Sequence, residues 1–185
     1  MITTYIILGI IVLLILWAIG SFNGLVRLRN REKEAESDID VQTKRRYDLI
    51  PNLVETVKGY VKQEKDVLEN VTKARTQAMS TSGTALDKAG AENMLSGALK
   101  TLFAVAENYP NLKSNENFLE LQRELTDTED KIQAARRFYN SVVQDLNTKV
   151  EAFPSNIIAG MFNFKQGTFF EVTSEAEKQP VNVKF

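Results

Sequence analysis

The chain begins with an apolar segment that contains no charged side chain. Residues 5–22, YIILGIIVLLILWAIGSF, are apolar or small, and the first charge is Arg27. A helix from residue 5 to Val26 is about 33 Å long, which is enough to cross a hydrocarbon core of about 30 Å. The pattern predicts a short N-terminal segment at residues 1–4 and a single transmembrane helix at residues 5–26.

A cleaved signal peptide is the alternative interpretation of this segment. Such a peptide normally has basic residues before its apolar core and a small-x-small cleavage site. No lysine or arginine precedes the core here, and only Ala18-Ile19-Gly20 matches the cleavage pattern, weakly, so a retained anchor is favoured. Cations occur only after the span, which predicts that the N-terminus is outside and the rest is in the cytoplasm. The predicted membrane-surface residues are Arg27, Arg29, Arg31 and Lys33.

After the span, apolar residues return every three or four positions. From Leu53 to Ala78 these steps are interrupted only by Glu64, and the stripe has the seven-residue repeat of a coiled-coil seam. It predicts one amphipathic helix from about residue 30 to 79, ended by STSGT at residues 80–84. A carboxylate in an apolar seam is costly without a partner, so Glu64 is predicted to meet a lysine or arginine across an interface.

Two further helices are predicted downstream. Thr84, with an aspartate three residues later, resembles a helix start, and this helix is predicted to run to about Glu107. The third helix keeps its apolar steps from Phe118 to Phe153, where Pro154 interrupts it. The predicted fold class is all-α, with a transmembrane helix followed by an up-and-down bundle of long amphipathic helices.

The predicted bundle is followed by a tail. The stalk and bundle are assigned to residues 27–163 and an extended tail to residues 164–185, which end in alternating apolar residues. The tail phenylalanines most often pack on the bundle. Alternatively, the last segment adds as a strand to another chain or offers Phe185 and its carboxylate to a pocket. The predicted tail contacts are Phe169, Phe170 and Phe185.

The predicted helix lengths lead to a prediction about assembly. A first helix over residues 30–79 would be about 75 Å long, whereas the second would reach back only about 30 Å. The membrane-proximal part of the first helix would then have no partner in its own chain, which predicts contact with other subunits of a homo-oligomer. The residues of this predicted interface are Ile39, Val41, Arg45, Arg46, Tyr47, Leu49 and Ile50.

Lys44, Arg45 and Arg46 form a group of adjacent cations in this stretch. Lys44 lies about 33 Å past Phe22 along a straight helix, several Debye lengths from the headgroups, so lipid contact is disfavoured. Ion pairs with Asp40, Asp48 or acidic side chains of a neighbouring chain are preferred to an external anionic ligand. Solvated charge on a helix face is a further alternative.

Pro51 lies within the same helical pattern. It has no amide proton to donate to the carbonyl of Tyr47, so the helix must kink or break there. A structural kink is favoured over a moving hinge, and a clean restart is disfavoured because Ile50 is a poor N-cap. The freed carbonyl needs a donor, for which the two neighbouring arginines and Asn52 are candidates.

The amino-acid inventory restricts the chemistry. The 185 residues include no histidine and no cysteine, which excludes disulfides, thiolate sites, serine–histidine pairs and most zinc and di-iron sites. Catalysis would depend on carboxylates, lysine or tyrosine alone, so an enzyme is disfavoured and no catalytic, cofactor or metal site is predicted. The net charge of −1 provides no general field for nucleic acid.

Acidic side chains between residues 120 and 130 could suggest a carboxylate metal site. A di-metal bundle of the usual kind needs Glu-x-x-His motifs, which a chain without histidine cannot form. Solvation and local ion pairs are therefore favoured. The predicted pairs with i to i+4 spacing are Asp127 with Lys131, Asp40 with Lys44 and Glu69 with Lys73.

Four blocks of the chain resemble the LemA family. They are SDIDVQTKRRYDLIPNLVETVKGY (37–60), EKDVLENVTKAR (64–75), ARRFYNSVVQDLN (135–147) and FPSNIIAGMFNFK (153–165). The resemblance implies a four-helix type of bundle anchored to the bacterial inner membrane by one helix, without enzymatic activity or an established cofactor. It also implies a link to membrane biogenesis, including magnetosome membranes, or a place beside membrane metalloproteases or small phosphatase-like modules.

These observations lead to two functional hypotheses. The first is a non-enzymatic, membrane-anchored helical scaffold that self-assembles, with the lipid bilayer and further copies as its partners. The alternative is an adaptor or sensor that presents its bundle or tail to a membrane protease or transporter. Neither hypothesis includes nucleic acid or a cofactor.

Overall fold

The computed structural model describes residues 2–61 and 63–170, which form six helices and no strand. The helices are α1 (Ile2–Lys58), α2 (Lys65–Ser80), α3 (Ala85–Ala106), α4 (Pro110–Lys113), α5 (Glu116–Glu151) and α6 (Ser155–Met161). This architecture confirms the predicted all-α fold with a long apolar helix at the N-terminus.

The chain divides into two compact units, each of which contains part of α1 and part of α5. The span unit comprises residues 2–35 and 137–169, and its core consists of Leu25, Leu146, Ile158 and Ala159. The bundle unit comprises the described residues between 36 and 136, together with Phe170. Its core includes Ile50, Leu53, Val57, Val61, Leu68, Val71, Leu95, Leu99, Leu102, Leu112, Phe118 and Leu125.

The prediction of one helix from residue 30 to 79 is wrong, because α1 ends at Lys58 and α2 begins at Lys65. Gly59 follows the end of α1, where a glycine disfavours helix by about 1 kcal/mol relative to alanine. The carbonyl of Val57 accepts hydrogen bonds from the amides of Tyr60 (2.9 Å) and Val61 (3.1 Å), which close the last turn. The chain then reverses, so that α2 adds its apolar stripe to the same core as α1.

Glu64 lies at this reversal rather than in a coiled-coil seam. It precedes α2, is partly buried, and accepts a hydrogen bond from the hydroxyl of Tyr109 at 3.4 Å. A carboxylate at a helix start is close to the positive end of the helix dipole, which favours its charge. The predicted contact with a lysine or arginine across an interface stays a prediction.

The predicted start of the second helix is confirmed at Thr84, which caps α3. The Thr84 hydroxyl accepts a hydrogen bond from the amide of Asp87 (3.3 Å), and the Asp87 carboxylate accepts one from the amide of Thr84 (2.8 Å). This reciprocal arrangement satisfies two amides that the first turn of a helix leaves without partners. Gly83 before it has a φ of +118°, which a residue with a side chain rarely adopts.

The third predicted helix is confirmed as α5, which ends at Glu151 just before Pro154. The hydroxyl of Ser155 donates to the carbonyls of Lys149 (2.7 Å) and Ala152 (2.9 Å), and so satisfies acceptors at the C-terminal end of α5. The short helix α6 follows. Residues 164–170 contain no regular helix or strand, and the predicted strand-like end of the tail lies outside the described residues.

In the span unit, Asn147 of α5 holds the segment after α6. Its side-chain amide donates to the carbonyl of Gly167 (3.0 Å), and its side-chain oxygen accepts from the amide of Gly167 (2.8 Å). A Cβ at Gly167 would meet a carboxylate oxygen of Glu32, so the end of that side chain would have to move. The segment is thus fixed against the span unit at one defined point.

Candidate functional site

The clearest candidate for a functional site is a group of charged side chains inside the bundle unit. Arg46 is 1% exposed, and its guanidinium donates to the carboxylates of Glu92 and Glu129 and to the hydroxyl of Ser96 (2.8 Å). Glu92 is 2% exposed and also accepts a hydrogen bond from the hydroxyl of Tyr47. These five residues are called the Arg46 cluster below.

Helical spacing places Arg46 in the core. On α1, Ile39, Thr43, Arg46, Ile50 and Leu53 follow one another at steps of four, three, four and three, and all are buried. Residues with this spacing share one face of a helix. A guanidinium therefore occupies a position at which the pattern calls for an apolar side chain.

Two other helices supply the partners of Arg46. On α3, Glu92 lies three residues before Leu95 and seven before Leu99, so it faces the core with them. Ser96 lies one turn after Glu92 on the same helix. Glu129 comes from α5, and its side chain is 34% exposed, which places it at the edge of the cluster.

Burial dominates the electrostatics of the cluster. Desolvation of the carboxylate raises the pKa of Glu92 above its ordinary value of 4.5, and the attraction of Arg46 only partly offsets it. Burial likewise lowers the pKa of Arg136 on α5, with repulsion from Arg46 as the second cause. Among the described residues, the Nε atoms of Arg46 and Arg136 are buried without a hydrogen-bond partner. The two arginines thus face two carboxylates, but one nitrogen of each guanidinium has no hydrogen-bond partner.

A cleft of about 200 Å³ reaches the exposed edge of the cluster. From the cluster, Ser96 and Glu129 line it, and much of the remaining wall is apolar, including Leu99, Phe103 and Leu125. Glu129 points its carboxylate toward Arg46, so it is held as an ion-pair partner rather than as a free base. The arrangement joins α1, α3 and α5 in one register, which is the best-attested role of a buried ion pair.

Pro51 is adjacent to the cluster along α1. The helix continues through it, which confirms the prediction that the helix does not restart cleanly there. The carbonyl of Tyr47, which loses its helical donor, instead accepts a hydrogen bond from Nε of Arg75 on α2 at 2.8 Å. The need for an external donor is confirmed, whereas the predicted donors Arg45, Arg46 and Asn52 are wrong.

The premise of the predicted oligomer interface is wrong for most of its residues. In their own chain, Ile39, Arg46 and Ile50 are buried, and Tyr47 and Leu49 are partly buried against the bundle core. The reason is that α2 and α3 both lie beside this part of α1. Val41, at 59% exposure, and Arg45 are the two members that remain exposed. Oligomer formation itself stays a prediction.

The predicted ion pairs have different outcomes. The pairs Asp127–Lys131 (2.7 Å) and Glu69–Lys73 (3.6 Å) are confirmed. Asp40 pairs with Lys88 of α3 at 3.0 Å and not with Lys44. Arg46 finds its acidic partners within its own chain, so its predicted pairing with Asp40, Asp48 or a neighbouring chain is wrong.

The four predicted membrane-surface cations are all exposed. The guanidinium of Arg29 lies 5.2 Å from the ring centroid of Phe164, and that of Arg31 lies 5.6 Å from the centroid of Phe138. These are cation–π distances within the span unit. Lipid contact stays a prediction for all four.

The predicted tail contacts are partly described. Phe170 is partly buried, and the guanidinium of Arg136 lies 5.5 Å from its ring centroid. Phe169 is 41% exposed. Phe185 lies outside the described residues.

Sequence reasoning missed Glu92, Ser96, Glu129 and Arg75 as partners. For Glu92 a signal exists, since it is a charged residue in register with the apolar stripe of its helix. Arg46 carries the same signal on α1. No comparable signal identifies Arg75, because its partner is a backbone carbonyl whose need for a donor is created by a proline elsewhere in the chain.

Comparisons with known proteins agree with the resemblance. A model of the LemA family matches residues 35–185. Protein LemA of Metamycoplasma hominis is 29% identical over 170 residues, which cover 89% of this chain and 74% of that protein. Magnetosome protein MamQ 2 of Paramagnetospirillum magneticum is 23% identical over 175 residues, and Magnetosome protein MamQ of Magnetospirillum gryphiswaldense is 21% identical over 174 residues. These matches cover 81% and 80% of this chain, and 64% of each magnetosome protein.

Proposed function

The chain belongs to the LemA family, and from this premise we propose that it is a non-enzymatic, membrane-anchored helical scaffold that self-assembles at the bacterial inner membrane. Its proposed role is in the organisation or biogenesis of that membrane. The magnetosome proteins among its relatives support this direction. The lack of histidine and cysteine supports a structural rather than a catalytic role.

The observation that carries the proposal is the exposed apolar run of α1. In its most apolar window of 18 residues, none is buried within the chain. Leu13 and Leu16, for example, are 66% and 60% exposed. Such surface in water is unfavourable by about 25 cal/mol per Å², whereas a bilayer accommodates it. The same helix supplies Ile50 and Leu53 to the bundle core, so one element links the anchor to the bundle.

Alkaline extraction of membranes tests the anchor. We expect the wild-type chain to stay in the membrane pellet, and the double variant Leu13→Lys, Leu16→Lys to be released. A lysine near the centre of a membrane helix opposes insertion by about 2.5–3.5 kcal/mol. The matched control is Gln133→Lys, Ser141→Lys, which adds the same charge at exposed positions of α5. Release of the wild-type chain, or equal release of both variants, contradicts the anchor.

Self-assembly is the finer part of the proposal. After the chain has packed on itself, the bundle unit still exposes isolated apolar side chains, including Val41 (59%), Met79 (52%) and Met94 (58%). Their contact with further copies would remove this surface from water. Electron microscopy of the full-length chain extracted with its lipids tests the idea. Large homomeric particles are expected, and a monodisperse monomer after gentle extraction contradicts self-assembly.

An adaptor role is the second candidate, and a groove in the bundle unit favours it. Val54, Val61 and Leu68 form an apolar floor in a groove of about 610 Å³ between the end of α1 and α2. Its rim carries Lys58, Lys65 and Lys73 together with one acid, Glu69. An acidic amphipathic segment of a membrane protein would match this rim. Stoichiometric co-purification of a different membrane protein, lost when the three lysines are reversed in charge, would favour the adaptor over the scaffold.

A further inference from the structure

The short helix α6 of the span unit packs where the apolar run of α1 ends. Its buried residues Ile158 and Ala159 contact the core formed with Leu25, and Phe22 packs against the same core. Phe22 also holds the residues that follow α6. Its ring centroid lies 4.7 Å from that of Phe162 and 5.8 Å from that of Phe164. The cations begin directly after this level of α1, at Arg27.

The other face of α6 is apolar and uncovered. Ile157 and Met161 are four residues apart on α6 and so share one side of it, and Phe153 lies in the turn that precedes the helix. Phe153, Ile157 and Met161 are 80%, 52% and 73% exposed, and Phe162 beside them is 56% exposed. Among the described residues outside the apolar run of α1, Phe153 is the most exposed large apolar side chain.

Basic side chains lie near both ends of α6. Arg29 lies against the ring of Phe164, and Lys165 next to it is exposed. Lys149 of α5 lies beside α1, with its Cε about 3.6 Å from the Cβ position of Gly24. An apolar face with basic side chains near it is typical of a helix that lies in the headgroup layer of an anionic membrane.

We propose that α6, with Phe153 and Phe162, lies in the interfacial layer of the bilayer that holds the apolar run of α1, as a second and non-spanning membrane contact. The bilayer is the favoured occupant because Phe162 packs against Phe22 at the end of the apolar run, and Phe153 lines the same hollow as Trp17 and Gly20 of that run. The inference rests on the proposed membrane anchor. It adds a second membrane contact, made by the C-terminal segment of the span unit, which holds that segment at the membrane surface.

Depth-dependent fluorescence quenching tests this contact in the full-length chain. Since the chain contains no cysteine, Phe153→Cys, Met161→Cys, Val12→Cys and Gln144→Cys each give one site for an environment-sensitive dye. The variants are reconstituted into vesicles of phosphatidylcholine and phosphatidylglycerol that carry nitroxide at a shallow or a deep acyl position. Val12 lies inside the apolar run, and Gln144 is an exposed polar control on α5.

The expected result differs at each position. Dyes at residues 153 and 161 shift their emission to the blue and lose most of their intensity with the shallow quencher, and less with the deep one. The dye at residue 12 responds most to the deep quencher, and the dye at residue 144 responds to neither. Phe153→Trp in a Trp17→Phe background gives a second, conservative probe, which should show the same preference for the shallow quencher.

Two outcomes overturn the inference while leaving the anchor intact. If residue 12 is quenched but residues 153 and 161 report water, α6 does not enter the interface. If residues 153 and 161 shift to the blue without lipid quenching, a second copy or another protein covers the face. If residue 12 also escapes quenching, the proposed anchor itself fails, and this inference fails with it.

Discussion

The guanidinium of Arg46 lies where a charge lowers stability unless nearby groups compensate for its lost hydration. Glu92 and Glu129 compensate for it, and Ser96 adds a further acceptor. A buried ion pair is often no more stable than an apolar pair of the same volume, but removal of one partner leaves an uncompensated charge. We therefore expect the Arg46–Glu92 pair to contribute mainly by selecting the register in which the helices pack.

Arg46→Leu is expected to lower the free energy of unfolding by about 3–5 kcal/mol at neutral pH, because Glu92 would stay buried without its cation. The exposed neighbour Arg45→Leu is the matched control and should change it by about 0.5 kcal/mol or less. Chemical unfolding in detergent, followed by circular dichroism, measures both. Equal effects of the two variants would contradict the assigned role of Arg46.

The double variant Arg46→Leu, Glu92→Leu tests whether the loss of stability comes from leaving one buried charge without its partner. It is expected to recover about half of the loss, because both buried charges are gone. Full recovery is not expected, since the Tyr47 hydroxyl loses its acceptor. A double variant as unstable as the sum of its single variants would show that the two charges act independently.

The pH dependence of stability reports on Glu92. Its pKa is raised above 4.5 by burial, so the folded state binds the proton more tightly than the unfolded state. Stability therefore falls as pH rises from 4.5 through the higher folded pKa. Relative to Glu92→Gln, which stays neutral, the wild-type free energy of unfolding is expected to decrease over this interval. Glu120→Gln, at an exposed position, is the control. An increase relative to Glu92→Gln would show that attraction to Arg46 outweighs burial.

At the scale of elements, Pro51 and Arg75 act together across two helices. The proline removes the donor for the carbonyl of Tyr47, and Arg75 supplies another from α2. The hydrogen bond also holds α2 beside α1, since it joins residues 28 positions apart. The hydrogen bond that Pro51 removes from α1 is thereby replaced by a hydrogen bond between α1 and α2.

A double-mutant cycle tests this coupling. Arg75→Met is expected to destabilise the wild-type chain by about 1–3 kcal/mol, because a partly buried carbonyl loses its donor. In a Pro51→Ala background the loss should be much smaller, since the amide of residue 51 can then donate to Tyr47. Lys73→Met, at an exposed position of the same helix, is the control. Equal losses in both backgrounds would show that Arg75 stabilises the chain in some other way.

For the whole molecule, the positions of the cations around the span predict its orientation. Arg27, Arg29, Arg31 and Lys33 follow the apolar run and no basic residue precedes it. The positive-inside rule therefore predicts an outside N-terminus and a cytoplasmic bundle unit. This orientation determines which compartment the Arg46 cluster and the groove of α2 face.

Cysteine labelling in intact bacterial cells tests the orientation. Thr3→Cys is expected to react with a membrane-impermeant thiol reagent, whereas Lys88→Cys and Ser82→Cys should react only after the cells are opened. The unmodified chain has no cysteine and provides the blank. Labelling of residue 88 or 82 from outside intact cells would reverse the predicted orientation.

The sequence-based predictions are accurate where the interactions join residues that are close in sequence, and less accurate where they join distant ones. The bounds of α3 and α5 and the Thr84 cap depend on residues a few positions apart, and they were predicted. The break after Lys58 was missed because the apolar repeat continues across it. A periodic pattern is the same in a continuous helix and in two helices that fold back on each other. That error led directly to the predicted oligomer interface.

The sequence by itself determined an apolar run long enough to span a bilayer, an all-helical fold and the absence of imidazole and thiol chemistry. These properties depend on composition and local spacing. Only the tertiary structure decided that Arg46 meets Glu92 and Glu129, which are 46 and 83 positions away, and that Arg75 serves the Tyr47 carbonyl. The physical reason is that a buried charge or a freed carbonyl requires a partner, but its chemistry accepts several, and helix packing determines which one is within reach.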